Sequence, residues 1–515
     1  MNKSAIFLIL LSLSGVFCLS QTIVPAGDVS GTWNAEGSPY LVEGEITVQA
    51  GNTLIIEPGV NVEFQINCAL LVTGRILAEG TENDTILFSA AGTSGHRGVR
   101  MASVDSLSDT CFFRYCRFQD GNGIGTWPDN CGPGIAVMNF NKVVVEHCLF
   151  IDNKAWTGTN AAGGAIAFQN ADIIIRNNSF INNRSSVGGA MMVYACNNAI
   201  IENNYFYDNY ATKTAGVIAV WDHSNPLIKN NIFEANHANQ FGGAIEVYLS
   251  SNPQISHNLF VDNYSLIDGG AIELNAYCNP LIINNTIVNN SSNNHGGGID
   301  IYDESSPRLI NNIYWGNESP SGCQIYIYSD DCIPDFYFND IQYGQDSIEG
   351  APILGQWKAN IDLYPIFVDT ASNNFHLEWD SPCINAGVDT ILDPDGTISD
   401  IGAYYYHIIN PGINEQNNKQ TLTLNLYPNP AVSVLTVSYG TFTQNSINEL
   451  GIPNDQDMEV TIFDLRGSRV SSFSLPGSYK SKNQFTLDVS DLPSGIYSVR
   501  LKVAGADMIG KFIRR

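Results

Sequence analysis

One four-residue motif recurs along this 515-residue chain at a nearly fixed step, and that recurrence limits the fold more than any other feature. Gly163-Gly164-Ala165-Ile166, Gly188-Gly189-Ala190-Met191, Ala215-Gly216-Val217-Ile218, Gly242-Gly243-Ala244-Ile245, Gly269-Gly270-Ala271-Ile272 and Gly296-Gly297-Gly298-Ile299 follow one another at steps of 25, 27, 27, 27 and 27 residues. The same step brings Phe206, Phe233, Phe260, Ile287 and Tyr314 into register, each followed three residues later by Asn209, Asn236, Asn263, Asn290 or Asn317. Within one unit the apolar runs last four to six residues and alternate, as in Ala244 to Tyr248 and Gln254 to Asn258. A helical repeat needs three-and-four spacing over ten or more positions, so stacked helices are excluded. The pattern predicts an all-β chain: a parallel β-solenoid with three short strands per coil, Phe filling its interior and Asn bonding along its turns.

The paired Phe-x-x-Asn and Gly-Gly-Ala-Ile motifs resemble the coils of right-handed parallel β-helix proteins of the pectate-lyase-like class, and are similar to those of polymorphic outer-membrane adhesins. The matching repeats span about residues 145–320. Upstream, Ser30-Gly31-Thr32-Trp33 and Asn52 to Val60 resemble opening coils; downstream, Ser381 to Gly387 and Asp400 to Tyr404 resemble a closing segment. The solenoid is thus expected over residues 21–407, with its closing segment at about 321–407.

Both ends carry addressing signals. Residues 1–20, with Lys3, an apolar run from Ala5 to Leu13 and small residues at the end, read as a cleaved secretory signal. Phe17 before Cys18 disfavours a lipoprotein site, and no later apolar run is long enough for a transmembrane helix. A polar stretch over 408–420 reads as a linker. Beyond it, residues 421–515 alternate like a small Ig-like β-sandwich of about seven strands. Tyr427-Pro428-Asn429-Pro430, Phe463-Asp464-Leu465-Arg466-Gly467, Leu492 to Tyr497 and Lys511 to Arg515 resemble, in order, the type A sorting domain of the type IX secretion system. That resemblance implies contact with the type IX machinery, a Gram-negative source, and a secreted or outer-membrane cell-surface location.

Charge narrows the partners. The chain holds 51 Asp plus Glu against 24 Lys plus Arg. Residues 408–515 hold 9 acidic and 10 basic side chains, and residues 21–407 hold 42 against 13, so the acidity belongs to the solenoid. Binding to nucleic acid through the protein's own charge is excluded.

Alternation from each Gly-Gly defines two files facing away from the solenoid interior. One reads Ala167, Met192, Ala219, Glu246, Glu273, Asp300; the next reads Gln169, Tyr194, Trp221, Tyr248, Asn275, Tyr302. Stacked carboxylates either raise one another's pKa or hold a cation such as calcium, and aromatic faces beside them stack on sugar rings. Glu246, Glu273 and Asp300 are catalytic candidates, with spacings compatible with glycoside hydrolysis. Tyr194, Trp221, Tyr248 and Tyr302 are ligand-binding candidates. Asp393, Asp395 and Asp400 resemble part of a calcium loop without its full ligand set. Cys116 and Cys148 each precede a core Phe by two residues, so register places them within disulfide reach. No Lys or Arg cluster marks a lyase, and the histidines fall at unrelated repeat positions.

These features fit an exported β-helix that binds polysaccharide or a cell-surface glycan without cutting it. Two alternatives stand beside that: a carbohydrate-active enzyme, either a calcium-dependent lyase or a glycoside hydrolase, and a structural stalk or adhesin contacting proteins.

Overall fold

The computed structural model describes residues 21–406 apart from 66, 94, 103–108 and 157–160, and residues 424–428, 431–439, 458–464, 469–476, 484–493, 495–503 and 506–514 of the C-terminal region. The expected signal at 1–20 and linker at 408–420 lie outside the described residues.

Short β-branched and aromatic runs separated by turns build a parallel β-solenoid. Its coils stack into three 13-stranded sheets, every neighbouring pair parallel and in register. One coil runs from Leu259–Val261 in the first sheet through Ile272–Asn275 in the second and Leu281–Ile283 in the third, then returns as Thr286–Val288 beside its own start. A fourth strand, which the sequence did not reveal, lies between the first and second sheets. Tyr264–Ser265 belongs to a seven-stranded sheet of mostly two-residue pieces that also includes Tyr210–Thr214 and His237–Ala238. Strands reach Ile348–Gly350 and Trp357–Lys358, so coiling continues past residue 320.

The interior is a continuous stack of apolar side chains. Phe88, Phe118, Phe150, Phe180, Phe206, Phe233 and Phe260 lie ring on ring with centroids 4.6–4.9 Å apart. The strand spacing itself sets this separation. Two corners carry Asn ladders. At one, each side chain from Asn153 to Asn290 donates its Nδ2 to the Oδ1 one coil on, at 2.9–3.0 Å. At the other, the same bonding links Asn178, Asn204, Asn231, Asn258, Asn285, Asn312 and Asn339. Asn236 also donates to Phe206 O and accepts from the Asn209 backbone N–H and Nδ2. Asn236→Ala therefore leaves buried donors and a carbonyl unmatched. We expect a loss of about 3 kcal/mol, read as a lowered denaturant midpoint.

The segment resembling a closing element lies along the outer face of the first sheet. Phe367, Phe375, Leu377, Cys383 and Ile401 pack on Leu259, Val261, Val288 and Ile313. Asn284 Nδ2 anchors it through Ser399 Oγ and Asp400 O, at 3.0 and 2.7 Å.

The C-terminal region forms antiparallel sheets of three strands (Leu424–Tyr427, Val434–Tyr439, Gln484–Asp488) and four (Arg469–Leu475, Met458–Asp464, Gly495–Val503, Ala506–Arg514). Leu435, Val437, Phe485 and Leu487 from the first share a core with Val460, Ile462, Val499 and Leu501 from the second. This arrangement agrees with a small Ig-like sandwich.

Candidate functional site

Strand register places the two outward files where alternation predicts. Ala219, Glu246, Glu273 and Asp300 pair in sequence across the second sheet, and Tyr194, Trp221, Tyr248 and Asn275 pair beside them. Facing away from the interior does not expose the carboxylate ladder to solvent: Glu246, Glu273 and Asp300 are only 4%, 2% and 2% exposed. Chain preceding each Gly-Gly pair folds over this face; Thr214, at the end of a fourth-sheet strand, donates its hydroxyl to Glu246 Oε2 at 2.7 Å. Alternation tells which side of a strand a residue takes and nothing of what covers that side.

Glu246 is held by two donors on one oxygen, Thr214 Oγ1 and Trp221 Nε1, both at 2.7 Å. Burial outweighs these bonds and pushes its pKa from 4.5 up to about 7. Glu273 and Asp300 are also raised, first by burial and then by neighbouring acids: Asp300, Asp268 and Glu246 act on Glu273, and Asp268 acts on Asp300. As two carboxylates, Glu273 Oε2 and Asp300 Oδ1 lack a hydrogen-bond donor. Protonation of either acid, which burial and the neighbouring acids favour, supplies one. Asp268 in turn meets His295 Nδ1 at 3.0 Å.

The second file builds a cavity of about 720 Å³. Tyr194, Trp221 and Tyr248 line it from adjacent coils, Trp127 faces Tyr194 at a centroid distance of 6.3 Å, and Met192, Val187 and Phe241 complete the apolar wall. Glu246 is the sole carboxyl group among the described lining residues, with Lys213, Gln169 and Asn275 as further polar groups. Tyr302 stands apart from this cavity, its ring 4.0 Å from that of Tyr328. Sequence reasoning thus identified three of the aromatic walls. It missed Trp127, which comes from an irregular coil upstream, and Phe241, which lies in the covering chain.

The other expected sites take different forms. Asp393 accepts from the backbone N–H of Asp400, and Asp400 accepts from those of Asn385 and Tyr406. Asp395 accepts from the Thr397 backbone N–H and hydroxyl. These carboxylates tie a turn together, and no group of three or more His, Cys, Asp or Glu side chains among the described residues is arranged to hold a metal ion. Cys116 and Cys148 do stack on adjacent coils, with the Cys116 N–H 3.4 Å from Cys148 Sγ, but both are free thiols in place of the expected disulfide.

Comparison with known proteins follows this division. Residues 95–287 and 215–341 match the right handed beta helix region family, and residues 425–515 match the secretion system C-terminal sorting domain. Over 74 residues, 14% of this chain and 2% of the relative, the sequence is 35% identical to Protein bark beetle of Drosophila melanogaster. The chain therefore corresponds to a very small part of that relative. Among solved structures, a duf3244 family protein with an immunoglobulin-like β-sandwich fold from Bacteroides vulgatus is similar at 17% identity. The match covers 18% of this chain and 94% of that one, with a TM-score of 0.13. The sorting domain points to a secreted or cell-surface protein that engages the type IX secretion machinery, and no helix among the described residues is long and apolar enough to cross a membrane. The chain is a right-handed parallel β-helix repeat protein ending in a type IX secretion sorting domain.

Proposed function

We propose that the solenoid is a non-catalytic glycan-binding module, displayed on or released from the surface of a Gram-negative bacterium, and that it holds its ligand in the aromatic cavity on the second sheet. The observation that carries this reading is the convergence of Trp127, Tyr194, Trp221 and Tyr248 on one cavity of about 720 Å³. Cavities that hold small ligands combine apolar and aromatic walls with a few polar groups that fix orientation, and sugar rings offer apolar faces with hydroxyls at their edges. Three successive coils contribute rings in register, so one rigid scaffold sets the platform.

An enzymatic reading has one point in its favour: a carboxyl group with a pKa of about 7 suits a general acid near neutral pH. A glycosidase needs a second carboxyl group facing the same sugar. Glu273 and Asp300 do not line the cavity, and Glu246 is the sole acid that does among the described residues. Binding without cleavage therefore fits the geometry better.

Titration of oligosaccharides by calorimetry tests the reading with Tyr248→Ala, which removes one wall and leaves both Glu246 hydrogen bonds in place. We expect affinity to fall at least about tenfold, the loss of one well-packed aromatic anchor. Unchanged affinity would place the ligand elsewhere.

A further inference from the structure

Resting on the glycan-binding reading, we propose that the cavity selects a glycan whose sugars carry a free, protonated amino group, the ammonium seated between the aromatic rings and the Glu246 carboxyl group. Four ring faces surround the space, and among the described residues no Lys or Arg stacks over Trp127, Tyr194, Trp221 or Tyr248. Such faces attract a cation through the ring quadrupole, most strongly where water is excluded. Glu246 supplies the counter-charge, because an ammonium beside it favours the ionised form that burial otherwise disfavours. Thr214 and Trp221 fix its Oε2, while Oε1 has no hydrogen bond to the described residues and is free for a ligand donor.

Charge around the cavity agrees. Asp222 lies beside Tyr194 and adds a second acid to Glu246 at this site. A uronate would bring a further anion to this group of acids. A neutral or N-acetylated sugar would leave Glu246 without an opposite charge. The one cationic lining residue, Lys213, is solvent-exposed, where its field is screened. At longer range the solenoid, with 42 acidic and 13 basic side chains over residues 21–407, draws in a polycation.

The test is titration of the intact protein at near-neutral pH with three oligosaccharides of equal length: a glucosamine oligomer, its N-acetylated counterpart and a uronate oligomer. The glucosamine oligomer is expected to bind at least about tenfold more tightly than either of the others. Glu246→Gln, which keeps an acceptor for Thr214 and Trp221, is expected to bring the glucosamine and N-acetylglucosamine oligomers within about threefold of each other. Retention of the full preference in E246Q would show that the general acidity of the surface causes it, and would overturn the proposal. So would equal or tighter binding of the N-acetylated or uronate ligand that remains sensitive to Tyr248→Ala, though glycan binding in the cavity would then stand. Binding of none of the three in a Tyr248-dependent way would overturn the glycan-binding reading itself, and this inference with it.

Discussion

Gly243→Ala is expected to destabilise the solenoid by more than about 4 kcal/mol, whereas Gly242→Ala, one residue away, is expected to cost only about 1–2 kcal/mol. The two glycines serve different purposes. Gly242 has φ +64°, and a Cβ there would lie 2.4 Å from the Ile245 carbonyl oxygen of its own turn, yet an L-residue can be fitted with a local shift: Ala215 occupies the equivalent place one coil earlier at φ +60°. At Gly243 the approach is closer and comes from the neighbouring coil. A Cβ there would lie 1.9 Å from the Gly270 carbonyl oxygen and within 3 Å of the Tyr264 backbone, and none of these atoms belongs to a side chain that could turn aside. The same approach repeats at Gly164, Gly189, Gly216 and Gly270, each with a carbonyl oxygen of the next coil 2.0–2.1 Å from the would-be Cβ. Thermal and denaturant unfolding of the two variants would measure the difference. Equal losses would mean that backbone conformation, and not the closeness of the coils, fixes the glycine pair.

The second large effect is a pH dependence of stability carried by the buried acids. Burial raises Glu246 from 4.5 to about 7, so between those values the folded chain keeps a proton that the unfolded chain releases. Its stabilising contribution is complete below about pH 4.5, declines as pH rises and is gone above about pH 7. Over that window the decline amounts to about 3 kcal/mol. Glu273 and Asp300, raised by burial and by neighbouring acids, act in the same direction and extend the decline to higher pH. His96 and His257, lowered to about 4 by burial, work in the opposite direction at acid pH. The clean observable is thus the difference between wild type and Glu246→Gln, in which those titrations cancel. That variant is expected to gain about 3 kcal/mol relative to wild type between pH 4.5 and about 7. A difference that stays flat across the range would show that Glu246 is solvated like a surface carboxylate.

Much of this architecture is legible in the sequence because stacking converts a fixed step into contact. Phe206, Phe233 and Phe260 lie one period apart and prove to be stacked rings, and Asn209, Asn236 and Asn263 prove to be a bonded ladder. A second ladder through Asn204, Asn231 and Asn258 keeps the same step but was not singled out, since Asn is frequent throughout the coils. Upstream, the Phe ladder continues through Phe88, Phe118 and Phe150 although the coils there differ in length, so a search for one period stops short of it. The fourth sheet escaped notice because pieces such as Tyr264–Ser265 are too short to show alternation.

The site was legible in part for a related reason. Alternation correctly placed Glu246 beside Trp221 and Tyr248 on the side facing away from the core. What it could not supply was the chain that crosses over that side: Thr214 bonding Glu246, Phe241 closing the wall and Trp127 reaching in from an irregular coil. Thr214 and Phe241 do share a repeat position, the residue before the glycine pair, but different residue types fill it from coil to coil, and Trp127 lies outside the regular coils. Their cover makes a cavity beside the aromatic file and buries the carboxyl groups that alternation sets next to it.

The measurement that bears most directly on the central claim is incubation of the secreted protein with a panel of neutral, amino and uronate polysaccharides. Retention, new reducing ends and ultraviolet absorbance from unsaturated ends would be read together, for wild type and for the Trp221→Ala, Tyr248→Ala double variant. The account predicts retention without either kind of new end, lost in the double variant. Cleavage by the wild type, or retention that survives removal of both rings, would contradict it.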